Sequence, residues 1–83
     1  MQRIKTSDLF LACYLINEGC QISDTEVIPD RYKGKSMCFI IEGEESAELE
    51  KKYRLGRAVT NVSRFKINMS VLKDMMFDII RKA

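Results

Sequence analysis

From Val62 to Ile79 the apolar residues Val62, Phe65, Met69, Leu72, Met76 and Ile79 recur at alternating steps of three and four. A helix of 3.6 residues per turn gathers such a series on one face. This feature constrains the fold more than any other. It commits the C-terminal part of the chain to one long amphipathic helix whose stripe needs an apolar neighbour. Asn61 is placed to cap that helix, and the pattern runs to about Lys82. A start at Asn68, with residues 57–67 extended, is the competing reading. The spacing passes through residue 68 without a break, which favours Asn61.

The neighbour is sought upstream. Lys5-Thr6-Ser7-Asp8-Leu9 reads as a helix start, with Thr6 or Ser7 capping free backbone N–H groups and Asp8 complementing the dipole. This helix runs to about Glu18 and ends on Gly19 in a left-handed conformation. It is apolar almost all round, so it belongs at the centre of its domain or beneath a partner. Cys20 to Ile28 reads as a strand with rough alternation, Pro29 to Lys35 as a turn, and Ser36 to Glu42 as a strand apolar on both faces. The two strands form an antiparallel hairpin. Gly43 breaks the second. Glu44 to about Arg54 is a surface helix with a thin stripe of Ala47, Leu49 and Tyr53, closed by Gly56. Arg57 to Thr60 is a short extended piece.

The predicted fold class is therefore α+β. It comprises a helix, a β-hairpin, a surface helix, a short extended segment and a long C-terminal helix packed on a small antiparallel sheet. All of it belongs to one domain over residues 1–83. Such a sheet leaves edges and an open face, both available for pairing.

Charge is unevenly placed. Residues 42–50 hold five glutamates and no base, whereas residues 51–66 hold six bases and no acid. A basic segment containing Tyr53 and Phe65 suggests nucleic acid. Local pairing is the simpler explanation for part of it. Glu48–Lys52 and Glu50–Arg54 stand at i,i+4 in the favourable order, and acids before bases suit the helix dipole. Arg57, Arg64 and Lys66 have no acidic neighbour and are the candidate nucleic-acid contacts.

Catalytic apparatus is hard to assemble from this composition. There is no histidine, which removes the commonest general base. The four glycines are scattered and form no phosphate-binding loop. Glu44 and Glu45 are adjacent and diverge on a helix, so they do not converge on a substrate. Cys20 follows a glycine but has no nearby base in sequence to lower its pKa. Cys13, Cys20 and Cys38 are odd in number and widely spaced in apolar settings, which predicts buried small side chains and neither a disulfide framework nor zinc. No catalytic, metal or cofactor residue is expected, and no cofactor.

The long helix has more apolar surface than one neighbour covers. Its seam clusters at ~260–360° on the helical wheel from Val62, while Ile67, Val71 and Met75 project at ~140–220°. These three are the candidate contacts for a protein partner or a second copy of the chain. No apolar run approaches the length needed to span a bilayer, and Met1 to Lys5 followed by its apolar run lacks a small-residue cleavage signature. The expectation is a cytoplasmic protein, with no membrane partner.

Lys5-Thr6-Ser7-Asp8-Leu9, followed by Leu11-Ala12, Leu15 and Gly19, resembles a family of short bacterial and phage proteins of unknown function. The likeness continues through Phe39-Ile40-Ile41-Glu42 before an acidic helix, and through Gly56-Arg57-Ala58-Val59 before a helix carrying Leu72-Lys73. The resemblance implies a small cytoplasmic protein, often borne on phage-derived or mobile DNA, and assigns no activity or site residue. Together these readings give a non-catalytic binding module acting through protein–protein interaction, with an accessory nucleic-acid binder as the alternative.

Overall fold

The computed structural model describes residues 2–32 and 34–82; Met1, Lys33 of the predicted turn and Ala83 lie outside the described residues. In chain order the elements are β1 (Gln2–Thr6), α1 (Leu9–Asn17), β2 (Gln21–Asp30), β3 (Gly34–Gly43), α2 (Ser46–Arg54) and α3 (Val62–Lys82). The three strands form one antiparallel sheet in the order β1-β3-β2. The α+β class, the hairpin and the long terminal helix are as the sequence predicts.

The first strand is the feature the sequence reading lacked. Ile4 and Thr6 point into the core while Gln2, Arg3 and Lys5 stay exposed. With only one large apolar residue in β1, the period-two signal is faint. The helix start is shifted accordingly. Thr6 belongs to the strand, and Asp8 is the N-cap: its Oδ1 accepts from the N–H groups of Phe10 and Leu11 at 3.0 and 3.2 Å. The Thr6 hydroxyl accepts the Asp8 N–H at 3.0 Å, so both polar residues still brace the turn. Gly19, at φ +103°, closes α1 as expected. Its N–H donates to the Ile16 carbonyl and that of Cys20 to the Leu15 carbonyl, which satisfies two carbonyls of the last turn.

Strands β2 and β3 are longer than predicted. Pro29 pairs with Lys35 and Asp30 with Gly34, so most of the expected turn belongs to the ladder. Pro29 is tolerated because β2 is an edge strand, where a missing N–H costs no ladder bond on the outer side. Gly43 does not break β3 but ends it, paired with Gln2. The rough alternation of β2 has a local cause: the register shifts between Ile22 and Asp24, a bulge at Ser23.

One face of the sheet carries all three helices. Met37, Phe39 and Ile41 of β3, with Ile4 of β1, meet α1 there. The other face is open. On it Arg3 pairs with Glu42, and Lys5 with Glu26 at 2.7 Å, spanning β3 from β1 to β2. That second pair holds the Lys5 ammonium above its usual pKa, chiefly through its hydrogen bond to Glu26. Helix α1 is buried through Leu11 to Leu15 and lies at the centre of the helical layer.

Helix α2 begins at Ser46, after Glu44 and Glu45, and packs through Ser46, Leu49 and Tyr53. Ala47 is exposed, because it lies ~100° round the helix from Ser46. The Glu50–Arg54 pair forms at 2.9 Å, whereas Glu48 and Lys52 make no ion pair among the described residues. Residues 57–60 are irregular and join no strand. Helix α3 starts where the Asn61 reading places it, with the Asn61 side-chain oxygen accepting the Arg64 N–H at 2.9 Å. Its seam packs mainly on α1 through Phe65, Met69, Leu72, Met76 and Ile79. Val62 is the exception and is 80% exposed.

Phe39 is fully buried at the centre of this arrangement. Phe39→Ala should cost about 3–5 kcal/mol, from lost transfer energy and the cavity left behind. Urea denaturation measures it. A loss below ~1 kcal/mol would show that the core lies elsewhere.

Candidate interaction surface

Helix α3 is positioned by a buried polar cluster at the end of α1. Asn17 is 4% exposed. Its side-chain amide donates to the Thr60 hydroxyl and, at 3.3 Å, to the Asn61 carbonyl. Its oxygen accepts from the Asn68 amide at 2.8 Å. The Thr60 hydroxyl in turn donates to Glu18 at 2.9 Å. These bonds tie the approach, cap and second turn of α3 to α1. A weaker contact, from the Cys13 thiol to the Phe65 carbonyl at 3.4 Å, lies between them.

That docking leaves one flank of α3 beside β2, an edge strand of the sheet. A groove of about 300 Å³ opens there, lined by Ile16, Cys20, Ile22, Val71, Leu72 and Met75. Two of the three predicted partner contacts, Val71 and Met75, are thus brought together. Val71 is 55% exposed and Met75 half-buried. Ile67, 63% exposed, lies one turn away on the same strip and does not line the groove. The sequence reading missed Ile16 and Ile22. For Ile16 a signal was present, since α1 has apolar residues beyond the face that α3 covers. For Ile22 the bulge concealed it.

The predicted nucleic-acid contacts are placed differently. Arg57, Arg64 and Lys66 are all exposed. Arg57 shares a hollow with Lys51 and Lys52 in which Glu18 and Glu48 also sit. Arg64 and Lys66 project ~160° apart round α3. Lys66 instead joins Lys73 beside Val62, Phe65 and Met69, near the stacked rings of Phe10 and Phe65, whose centroids are 6.4 Å apart. The three bases therefore do not form one continuous stripe.

A second polar anchor lies at the other end of α1. The Tyr53 hydroxyl donates to Asp8 at 3.0 Å and the Tyr53 ring stacks on Tyr14, docking α2. Burial first, then the bond to Asp8, raises the Tyr53 pKa. The cysteines are all free and buried. Burial raises the thiol pKa of Cys13 and Cys20, with Glu18 and Glu45 adding to the effect at Cys20. Among the described residues no group of three or more His, Cys, Asp or Glu side chains could hold a metal ion. Among the described residues no helix is long and apolar enough to cross a membrane.

Compared with protein-family models, curated proteins and solved structures, the chain matches none of them.

A raised pKa leaves less thiolate, the form that attacks electrophiles. Cys13 and Cys20 should therefore label slowly with iodoacetamide at neutral pH in the folded protein and rapidly in denaturant. Fast labelling of Cys20 in the native state would mark it as a reactive thiol.

Proposed function

We propose that this chain is a non-catalytic binding module that engages a protein partner through the exposed flank of α3. The observation that carries the reading is the groove where Val71 and Met75 meet Ile16 and Ile22. Its walls are apolar apart from Gln21 and Asn68, and a methionine in such a wall adapts to the shape of an incoming side chain. Covering an exposed valine or methionine is worth ~1.5–3 kcal/mol, so a few such residues suffice for useful association. The rim supplies selectivity in place of bulk affinity: Asp74 and Asp78 flank the strip on α3. Three reduced thiols fit a cytoplasmic setting. The resemblance to short bacterial and phage proteins fits a module that works by occupying another protein.

A specific observation favours a second reading. Residues 51–73 contain seven bases and no acid, and the Phe10–Phe65 stack lies beside Lys66. Nucleic acid could use such a surface through phosphates and stacking. The dispersion of Arg57, Arg64 and Lys66 round the molecule ranks this reading behind the first.

The test is Val71→Glu/Met75→Glu. Val71 is 55% exposed and Met75 half-buried against the core, so Val71→Glu alone and a thermal melt of both variants separate lost binding from lost folding. Partner capture from cells of origin, followed by rebinding of the purified partner, should be lost in the variant. Retained binding would move the site elsewhere. Submicromolar DNA or RNA binding at ~0.15 M salt, steeply weakened by added salt and lost in Arg57→Glu/Arg64→Glu/Lys66→Glu, would replace the first reading with the second.

A further inference from the structure

The groove has an edge strand for one wall. Among the described residues β2 pairs with β3 alone, so every second residue of β2 turns its backbone N–H and C=O away from the sheet. Helices pack about 10 Å above a sheet and strands about 4.8 Å apart. A fourth strand beside β2 would therefore run beneath the flank of α3 that carries Val71 and Met75. The flank is uncovered because the sheet stops one strand short.

We infer that the occupant of this site is an extended peptide segment of a partner, alternating apolar and basic residues, which adds to β2 as a fourth strand. This deepens the binding-module reading and rests on it. Main-chain hydrogen bonds would give affinity, and the two faces of the added strand would give selectivity. Its inward side chains meet Ile22, Val71 and Met75. Its outward side chains lie beside Asp24 and Glu26, which the register places on the open face opposite Ile40 and Cys38. Asp24 is exposed and makes no ion pair among the described residues, while Glu26 pairs with Lys5 on its far side. Lysine or arginine at alternate positions complements that face.

The same charges disfavour a second copy of the chain. Residues 21–30 include Asp24, Glu26 and Asp30 and no base. Two-fold antiparallel pairing of β2 with itself about Thr25 sets Asp24 against Glu26, and like charges directly opposite destabilise a ladder. The α3 flanks of two copies would also bring Asp74 and Asp78 of each towards the other. One of these is already neutralised, since Lys82 pairs with Asp78 at 3.1 Å, and Asp74 has no ionic partner among the described residues.

The experiment uses nine-residue peptides with the whole protein, read by fluorescence anisotropy. A valine/lysine alternating peptide should bind, and a valine/glutamate one should bind at least ~10-fold more weakly. Asp24→Lys should shrink that preference without unfolding an exposed site. Backbone N-methylation of the peptide at every second residue should abolish binding in one phase and spare it in the other. Only one set of amides faces β2, so this alternation is specific to strand addition. Binding that is lost in Val71→Glu/Met75→Glu but indifferent to the methylation phase would overturn strand addition and leave the binding module standing. Failure of both peptides to bind, with a β2-dependent dimer in sedimentation, would identify a second copy as the occupant and overturn the proposal.

Discussion

The Asn17 carboxamide makes hydrogen bonds from both of its ends inside the protein, to Thr60 and Asn61 on one side and Asn68 on the other. Helix α3 is a rod of about 31 Å by its residue count, in a molecule 33 Å along its longest direction. A rod that crosses the whole body can pack at many crossing angles if only apolar residues guide it. Apolar packing is non-directional, and the seam of α3 is uniform enough to slide by a turn. Buried polar groups are directional and costly to leave unpaired, by about 1–3 kcal/mol each. Asn17 and Asn68 therefore select one register of α3 on α1. The remaining contacts, from Phe65 to Ile79, fill in around that choice.

Everything proposed about binding follows from that register. With α3 fixed on α1, one flank of the helix lies beside β2, an edge strand of the sheet, and is left partly uncovered. The groove lined by Ile16, Ile22, Val71 and Met75 is the gap between a helical layer and a sheet that ends too soon. The opposite face of the sheet is closed to such use by its own chemistry. There the Arg3–Glu42 and Lys5–Glu26 pairs lie across the strands, and Cys38 is buried among them. Exposed ion pairs of this kind contribute little to stability, but they make that face unattractive to apolar partners.

The sequence revealed those elements whose signal is local and strong. The seam of α3, the Asn61 cap and the apolar run around Phe39 are legible because each is a periodic or capping pattern many residues long. β1 was hidden because Gln2–Thr6 alternates polar residues with only Ile4 and Thr6 facing inward, and because Thr6 and Asp8 also make a sound helix start. The bulge at Ser23 blurred the alternation of β2. Val71 and Met75 were legible as surplus apolar surface on a helical wheel. Ile16 was legible only as spare apolar surface on α1 and Ile22 lay behind the bulge; that they meet in one groove was not legible, since it depends on where α3 lands. That in turn depends on a hydrogen bond between residues 17 and 68, for which no local pattern exists. Arg57, Arg64 and Lys66 form a cluster in sequence and disperse in space, because a loop and a helix carry them in different directions.

The most direct test of this account is residue-resolved hydrogen exchange on Asn17→Ala beside the wild type. If Asn17 fixes the register of α3, the substitution should strip protection from amides of residues 64–72 while those of β3 keep theirs, since no residue of β3 is hydrogen-bonded to the cluster. Uniform loss across helix and sheet, or unchanged protection in α3, would contradict it. Unchanged protection would show that apolar packing alone positions the helix; uniform loss would show that the cluster supports the whole domain and does not act on the register of α3 in particular.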